Sequence, residues 1–162
     1  MENKPLISIG IPTFNRSGEL DLCLKALYEE ILLVDTNIEI CISDNNSTDK
    51  TKYVVDKWSE KLRINYHKNN TNIGFDRNVD NVIEKATGTY VLITSDDDII
   101  INGSLKSYLN VIEQNKELVL VIGNARFMNN DLTQESSTFR DKAFDNFEKN
   151  KNYVFQNGYE LF

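Results

Sequence analysis

At 162 residues with 40% hydrophobic content, the chain can bury one good core and is too short for two. Its formal net charge is −7 and it carries no basic stripe or Lys/Arg run, which argues against a nucleic-acid polymer as partner. An acidic protein that binds an anionic small molecule needs a cation between them.

Met1 to Pro5 lead straight into Leu6 to Ile11, which reads as a first buried strand stopped by Pro12. No signal peptide precedes it, and no apolar stretch is long enough to span a bilayer. Leu20, Cys23, Leu24, Leu27 and Ile31 fall on one face at helical spacing, with Ser17 placed as the N-cap. Ile38 to Ser43 is a second strand. A helix follows with Thr51, Val54, Val55, Trp58 and Leu62 inward, capped by Ser47 or Thr48. Ile64 to His67 is a short third strand, and its lone His67 reads as structural. The next helix turns Val79, Val82, Ile83 and Ala86 inward and closes at Gly88 as a C′ residue.

Tyr90 to Thr94 is a fourth strand, ending in Ser95 and the triplet Asp96-Asp97-Asp98. Leu105, Tyr108, Leu109 and Ile112 line a further helix, and Leu118 to Ile122 is a fifth apolar strand. Unbroken apolar strands alternating with helices predict an α/β fold, a largely parallel central sheet with helices on both faces. Cys23 and Cys41 show no metal spacing and read as small buried residues.

Residues 1–125 therefore form the expected core, and 126–162 an irregular segment. Asn129 to Lys151 is polar, and the chain closes on Tyr153, Val154, Phe155, Tyr159, Leu161 and Phe162. Such an apolar terminus needs a surface to pack against, so a longer protein, or self-association through this end, is expected. Asn-x-Ser/Thr sequons begin at Asn45, Asn46, Asn69 and Asn102, beside the strand-end loops. Glycans there would obstruct a site, which favours a cytoplasmic location.

Parallel strands deliver their carboxyl-terminal loops to one edge, where open α/β sheets bind ligands. Three carboxylates at one strand tip repel each other unless a cation joins them, and oxygen-only ligands suit Mg²⁺, Mn²⁺ or Ca²⁺. The other three loops are Pro12-Thr13-Phe14-Asn15-Arg16, Asp44-Asn45-Asn46-Ser47-Thr48-Asp49, and Asn69 through Asn78. Taken alone, Phe14 could equally be core, while an Asx-turn for Asp44 and a solvated helix position for Arg77 are the lesser readings.

The four loops together resemble the family 2 glycosyltransferases over roughly residues 5 to 125. The matching elements are Ser8-Ile9-Gly10-Ile11-Pro12-Thr13-Phe14-Asn15, then Asp44 with Ser47-Thr48-Asp49, then Asn72-Ile73-Gly74 with Arg77-Asn78. The last is the acidic motif at Asp96-Asp97-Asp98, usually written DxD. The resemblance implies the GT-A (Rossmann-like) nucleotide-diphospho-sugar transferase fold. It also implies transfer of a hexose-type sugar from a nucleotide diphosphate donor, UDP-linked, to a glycan or lipid-linked acceptor, as in polysaccharide biosynthesis. For a full-length protein it implies work at the inner face of the membrane.

Pro12, Thr13, Phe14, Asn15 and Arg16 would then wall the nucleotide pocket, joined by Asn46, Gly74 and Arg77. Asp44 would accept a hydrogen bond from the base, Asp97 would hold the ribose, and Asp98 with Asp96 would hold Mn²⁺ or Mg²⁺. The register of Ser95 to Asp98 against the motif is open by one position. Asn78 braces the loops in this reading. No general base is assignable: Asp131, Glu135, Asp141 and Asp145 have no recognisable setting. A non-catalytic nucleotide-sugar-binding module is the alternative. A phosphoacceptor domain would want acids after the first strand, and a nucleotidyltransferase a Gly-rich basic loop there, whereas this chain has Pro12-Thr13.

Overall fold

In the computed structural model, which describes residues 4–117, 121, 123, 126–128 and 135–138, the first apolar run forms β1 (Ile7–Thr13). Helix α1 (Ser17–Ile31), β2 (Ile38–Asp44), α2 (Thr51–Ser59), β3 (Ile64–Lys68), α3 (Phe75–Lys85), β4 (Tyr90–Ile93) and α4 (Ser104–Gln114) follow. The four strands form one wholly parallel sheet in the order β3-β2-β1-β4. Ile9, Ile11, Ile40 and Ile42 lie at its centre with at most 1% exposure, which explains why the strands read as unbroken apolar runs.

The chain steps outward from β1 to β2 to β3, then returns across the sheet to β4. Right-handed crossovers place α1 and α2 on one face and send α3 to the other. In keeping with this, α1 packs on α2, while α3 packs on β1 and β2. The order reverses between β1 and β4, so the switch-point crevice opens beyond the ends of those two strands.

Several local expectations are corrected. Pro12 does not stop β1, which pairs with β2 as far as Thr13 and Asp44. Gly10 faces β4, its carbonyl accepting from Thr94 N at 3.0 Å, and Pro12 faces the same way two residues on, past the last pairing with β4. Its missing N–H therefore breaks no ladder bond. Gly88 does not close α3, which ends at Lys85 with an extended Ala86. Gly88 lies instead against β1, where an added Cβ would sit 2.5 Å from Ser8 N, and its own N–H donates to Ser8 Oγ at 2.7 Å.

Ile83 is exposed, because the sheet-facing row of α3 is Asn78 and Val82, four residues apart. On α1, Ile31 is only half-buried and Glu30 is the buried residue. The Glu30 carboxylate accepts from Gly103 N at 2.7 Å and Leu105 N at 3.1 Å, so it caps the start of α4 with negative charge. Both cysteines are buried thiols, and burial pushes Cys23 up to about 12 and Cys41 up to about 11.

Internal contacts divide the chain into Met1–Leu109 and Asn110–Phe162. Within the second unit, β5 (Arg126–Met128) pairs antiparallel with β6 (Glu135–Thr138), a pairing within the segment from residue 126 on that was expected to be irregular. Of the expected strand Leu118 to Ile122 only Val121 is described, exposed and in no strand, and the apolar end from Tyr153 lies outside the described residues. Among the described residues, no helix is long and apolar enough to cross a membrane.

Candidate functional site

The four loops at the carboxyl-terminal edge are joined into one unit by side chains that the strands hold in register. Asn45 follows β2 and is 4% exposed. Its Nδ2 donates to Asn72 Oδ1 at 2.9 Å and to the Gly74 carbonyl at 3.2 Å, while its Oδ1 accepts from Ile73 N at 2.9 Å. That one amide ties the second loop to the third. Gly74 supplies the turn into α3 with φ of 88°, a backbone angle that glycine adopts without strain. Asn78, 3% exposed, continues the brace: Nδ2 donates to the Ser43 carbonyl, and Oδ1 accepts from Ser43 Oγ and Asn69 Nδ2.

The first loop is tied to the second through Asn15, whose φ is 52°. Asn15 N donates to Ser47 Oγ at 2.8 Å, and Asn15 Oδ1 accepts from Thr48 N at 2.8 Å. Ser47 and Thr48 are thus occupied across the loop and do not cap α2. Asp49 takes over both capping duties: Oδ1 accepts from Thr51 N and Oγ1, and Oδ2 from Ser17 N, where Ser17 was expected to cap α1 itself. Burial would raise the Asp49 carboxyl, but the hydrogen bonds from Thr51 and Ser17 bring it down to about 2.

A carboxylate depressed from its unfolded value of about 4 contributes stability that is fully present above that pH and is lost as pH falls through about 2. Asp49→Asn should therefore be less stable than the parent chain at neutral pH. The gap in unfolding midpoint should close between roughly pH 4 and pH 2. A gap that does not change with pH would show that the charge of Asp49 is irrelevant to these caps.

Asp44 is fully buried at the end of β2. Its Oδ1 accepts from Ser47 N at 2.7 Å, an Asx-turn, and its Oδ2 accepts from the Tyr66 hydroxyl at 2.6 Å. As it stands the carboxylate presents no surface to a ligand, and an incoming N–H would have to take the place of the Tyr66 hydroxyl. Burial, then the neighbouring Asp44, push the Tyr66 phenol well above its ordinary value, so it stays a donor. Lys68 Nζ donates to the Ser47 carbonyl at 2.6 Å and adds a positive charge to this wall. Phe14 is 42% exposed, Asn46 is half-buried with φ of 71°, and Arg77 is exposed on α3. His67 is a half-buried strand residue whose Nε2 is enclosed without a hydrogen-bond partner.

Across the switch crevice, β1 and β4 are connected through the acids. Thr13 Oγ1 donates to Asp96 Oδ2 at 2.7 Å. Arg16 Nη1 lies 3.2 Å from Asp96 Oδ1 and 2.6 Å from Asp97 Oδ2. Burial raises the Asp96 carboxyl, and Thr13 and Arg16 only partly offset it. Asp97 also accepts from Ser95 Oγ. Asp98 is exposed, and no described side chain hydrogen-bonds to its carboxylate. Among the described residues, no group of three or more His, Cys, Asp or Glu is arranged to hold a metal ion. Asp98 alone still fits the way Mg²⁺ is usually bound, through one or two carboxylates with substrate phosphates and water. Asp96, buried and engaged by Thr13 and Arg16, fits that role less well than expected.

Sequence reasoning placed Asn45, Ser47, Asp49 and Asn69 in these loops but not the bonds by which they tie the loops together, and it missed Tyr66 as part of this edge. Their signal was the density of asparagine and serine at strand ends, where short polar side chains bond nearby backbone. Asp131, Asp141 and Asp145 lie outside the described residues, and Glu135 falls in β6.

The Glycosyl transferase family 2 model matches residues 8–161. Abequosyltransferase RfbV of Salmonella typhimurium is 35% identical over 117 residues, covering 71% of this chain and 35% of that protein. GalNAc(5)-diNAcBac-PP-undecaprenol beta-1,3-glucosyltransferase of Campylobacter jejuni is 33% identical over 122 residues, covering 74% and 38%. The crystal structure of Staphylococcus aureus TarS 1-349 in complex with UDP superposes with a TM-score of 0.63 at 27% identity, covering 68% of this chain and 32% of that one. The chain thus spans about a third of the length of these relatives.

Proposed function

Because the chain belongs to the family 2 glycosyltransferases, we propose that its four-loop edge holds the nucleotide part of a nucleotide-sugar donor, most simply a UDP-sugar. One observation carries the reading: the loops after β1 and β4 meet across the switch crevice through Thr13, Arg16, Asp96 and Asp97, and Asp98 stands exposed beside them. That is the place on an open α/β sheet where a dinucleotide or nucleotide sits. The UDP complex of TarS, a protein of the same fold at 27% identity, supports the choice of base.

In this reading Pro12, Thr13 and the exposed Phe14 wall one side of the base, and Asn15, Asn46 and Gly74 shape the loops that surround it. Tyr66 and Asp44 form the polar end of that pocket, and a base N–H that takes the hydroxyl's place finds an acceptor already oriented by Ser47 N. Asp97 is half exposed and can accept from ribose hydroxyls. Arg16 and Arg77 supply the cations that face the diphosphate. Asp98 would hold a divalent ion, Mn²⁺ or Mg²⁺, which neutralises charge on the diphosphate leaving group when bound. Asp96, held by a hydrogen bond from Thr13 and an ion pair with Arg16, positions Arg16 rather than touching the ion.

The activity of the whole protein is then transfer of a sugar of the hexose type to a glycan or lipid-linked acceptor. The undecaprenol diphosphate acceptor in the name of the Campylobacter relative supports the lipid-linked class. The alternative, a donor-binding module without turnover, shares this pocket and differs only in the base, for which no residue is assigned.

The test is a calorimetric panel of UDP, CDP, GDP and ADP with Mn²⁺, Mg²⁺ or chelator. UDP with metal is expected to bind tightest, and all four are expected to weaken in chelator. A chain that binds none of them under any condition would overturn the donor-site reading.

A further inference from the structure

We propose that Tyr66 is a displaceable placeholder on Asp44: its hydroxyl fills the acceptor that a base N–H takes, yields to that N–H as the nucleotide enters, and returns as the nucleotide leaves. This rests on the donor-site reading above and adds to it a residue that limits how tightly the nucleotide is held. The observation is that Asp44 is fully buried and that each of its oxygens already has a donor. Ser47 N lies 2.7 Å from Oδ1, and the Tyr66 hydroxyl lies 2.6 Å from Oδ2. With no surface of the carboxylate open, a ligand N–H reaches it only when one of these donors leaves.

The two donors differ in freedom. Ser47 is buried and pinned at three points: its N–H closes the Asx-turn, its Oγ accepts from Asn15 N, and its carbonyl accepts from Lys68 Nζ. Displacing it would unmake the loop. Tyr66 is half-buried on β3, the outermost strand of the four-stranded sheet. Lys52 Nζ lies over its ring, 5.7 Å from the centroid, on an exposed side chain. A ring in that position can turn outward without disturbing the strands.

The hydroxyl also accounts for a buried acid in an empty site. A buried carboxylate without donors is costly. Burial, and then the bond to Asp44, push the Tyr66 phenol well above its ordinary value, so it keeps its proton. Exchanging one donor for another leaves Asp44 satisfied throughout. The exchange lowers affinity, because the nucleotide binds only the fraction of molecules whose hydroxyl has turned away. A base edge with a lone pair at that place cannot make the exchange, since a carboxylate only accepts.

The experiment titrates UDP, and UDP methylated at the base N–H, into the parent chain and into Tyr66→Phe, with Mn²⁺ present throughout. A second measurement follows the fluorine resonance of a fluorotyrosine carried at position 66 of the full chain. UDP should bind Tyr66→Phe on the order of tenfold more tightly than the parent, while the empty variant unfolds at a lower temperature. The fluorine signal should move on saturation with UDP and stay in place with the methylated nucleotide. A ring that only supports the wall would weaken UDP binding when its hydroxyl is removed, or leave it unchanged, and either result overturns the proposal. So does a fluorine signal that bound UDP does not move, and this measurement decides the matter if Tyr66→Phe does not fold. A methylated nucleotide that moves the signal as far as UDP also overturns it, because the base N–H is then not what displaces the hydroxyl. Binding by Tyr66→Phe where the parent binds nothing would uphold the placeholder. Binding of UDP by neither chain overturns the donor-site reading and the placeholder with it.

Discussion

Asp98→Ala is expected to weaken UDP binding in the presence of Mn²⁺ by on the order of 100-fold, about 2.7 kcal/mol, and to leave UDP binding in chelator unchanged. The reason is local. Asp98 is the one member of the triplet whose carboxylate is not engaged by another described side chain, so it is the acid able to accept an ion without first breaking a bond. Because it is exposed and supports no other group, its removal should not change the unfolding midpoint. Asp96→Ala should behave differently, since it strips Thr13 and Arg16 of their shared partner and should lower stability as well as affinity. Isothermal titration with both variants separates the two cases. If Asp98→Ala binds UDP with Mn²⁺ as tightly as the parent chain, the ion is not held at the triplet.

The second large effect concerns the brace. Asn78→Ala removes a buried amide that satisfies the Ser43 carbonyl, the Ser43 hydroxyl and Asn69 Nδ2 together. Leaving buried polar groups unpaired costs more than the lost bonds are worth on their own, so a loss of about 3 kcal/mol is expected, on the order of 10 °C in a thermal melt. Nucleotide affinity should fall too, because Asn69 and Asn45 lose their alignment at the mouth of the site. Asn78→Asp should be no better: it keeps the shape but replaces the donor to Ser43 with a buried negative charge. A loss below about 0.5 kcal/mol for Asn78→Ala would mean that Ser43 and Asn69 find other partners and that the brace is redundant.

The bracing bonds of Asn78 and the burial of Asp44 show how far residue-by-residue reasoning reaches and where it stops. Asn78 lies on α3 one helical turn before Val82, so any reading that buries Val82 also buries Asn78 and requires partners for it. Asp44 was legible as the acid at the end of β2. Its burial was not, because it depends on Tyr66, a residue of another strand that the parallel register with Ile42 sets beside it.

The layout follows from local pattern: buried strands from runs such as Ile9 to Ile11 and Ile40 to Ile42, helices from their apolar periodicity, and polar loops collected at one edge by parallel pairing. These follow from interactions within a few residues and from the handedness of crossovers, which every chain shares. Tertiary structure alone decided which polar group satisfies which. Glu30 caps α4 from 73 residues away, Asp49 caps two helices instead of Ser17, and Arg16 reaches acids 80 residues further along the chain. A buried or crowded polar atom must find a partner, but the nearest candidate in space is set by strand order and register, quantities that no local pattern contains.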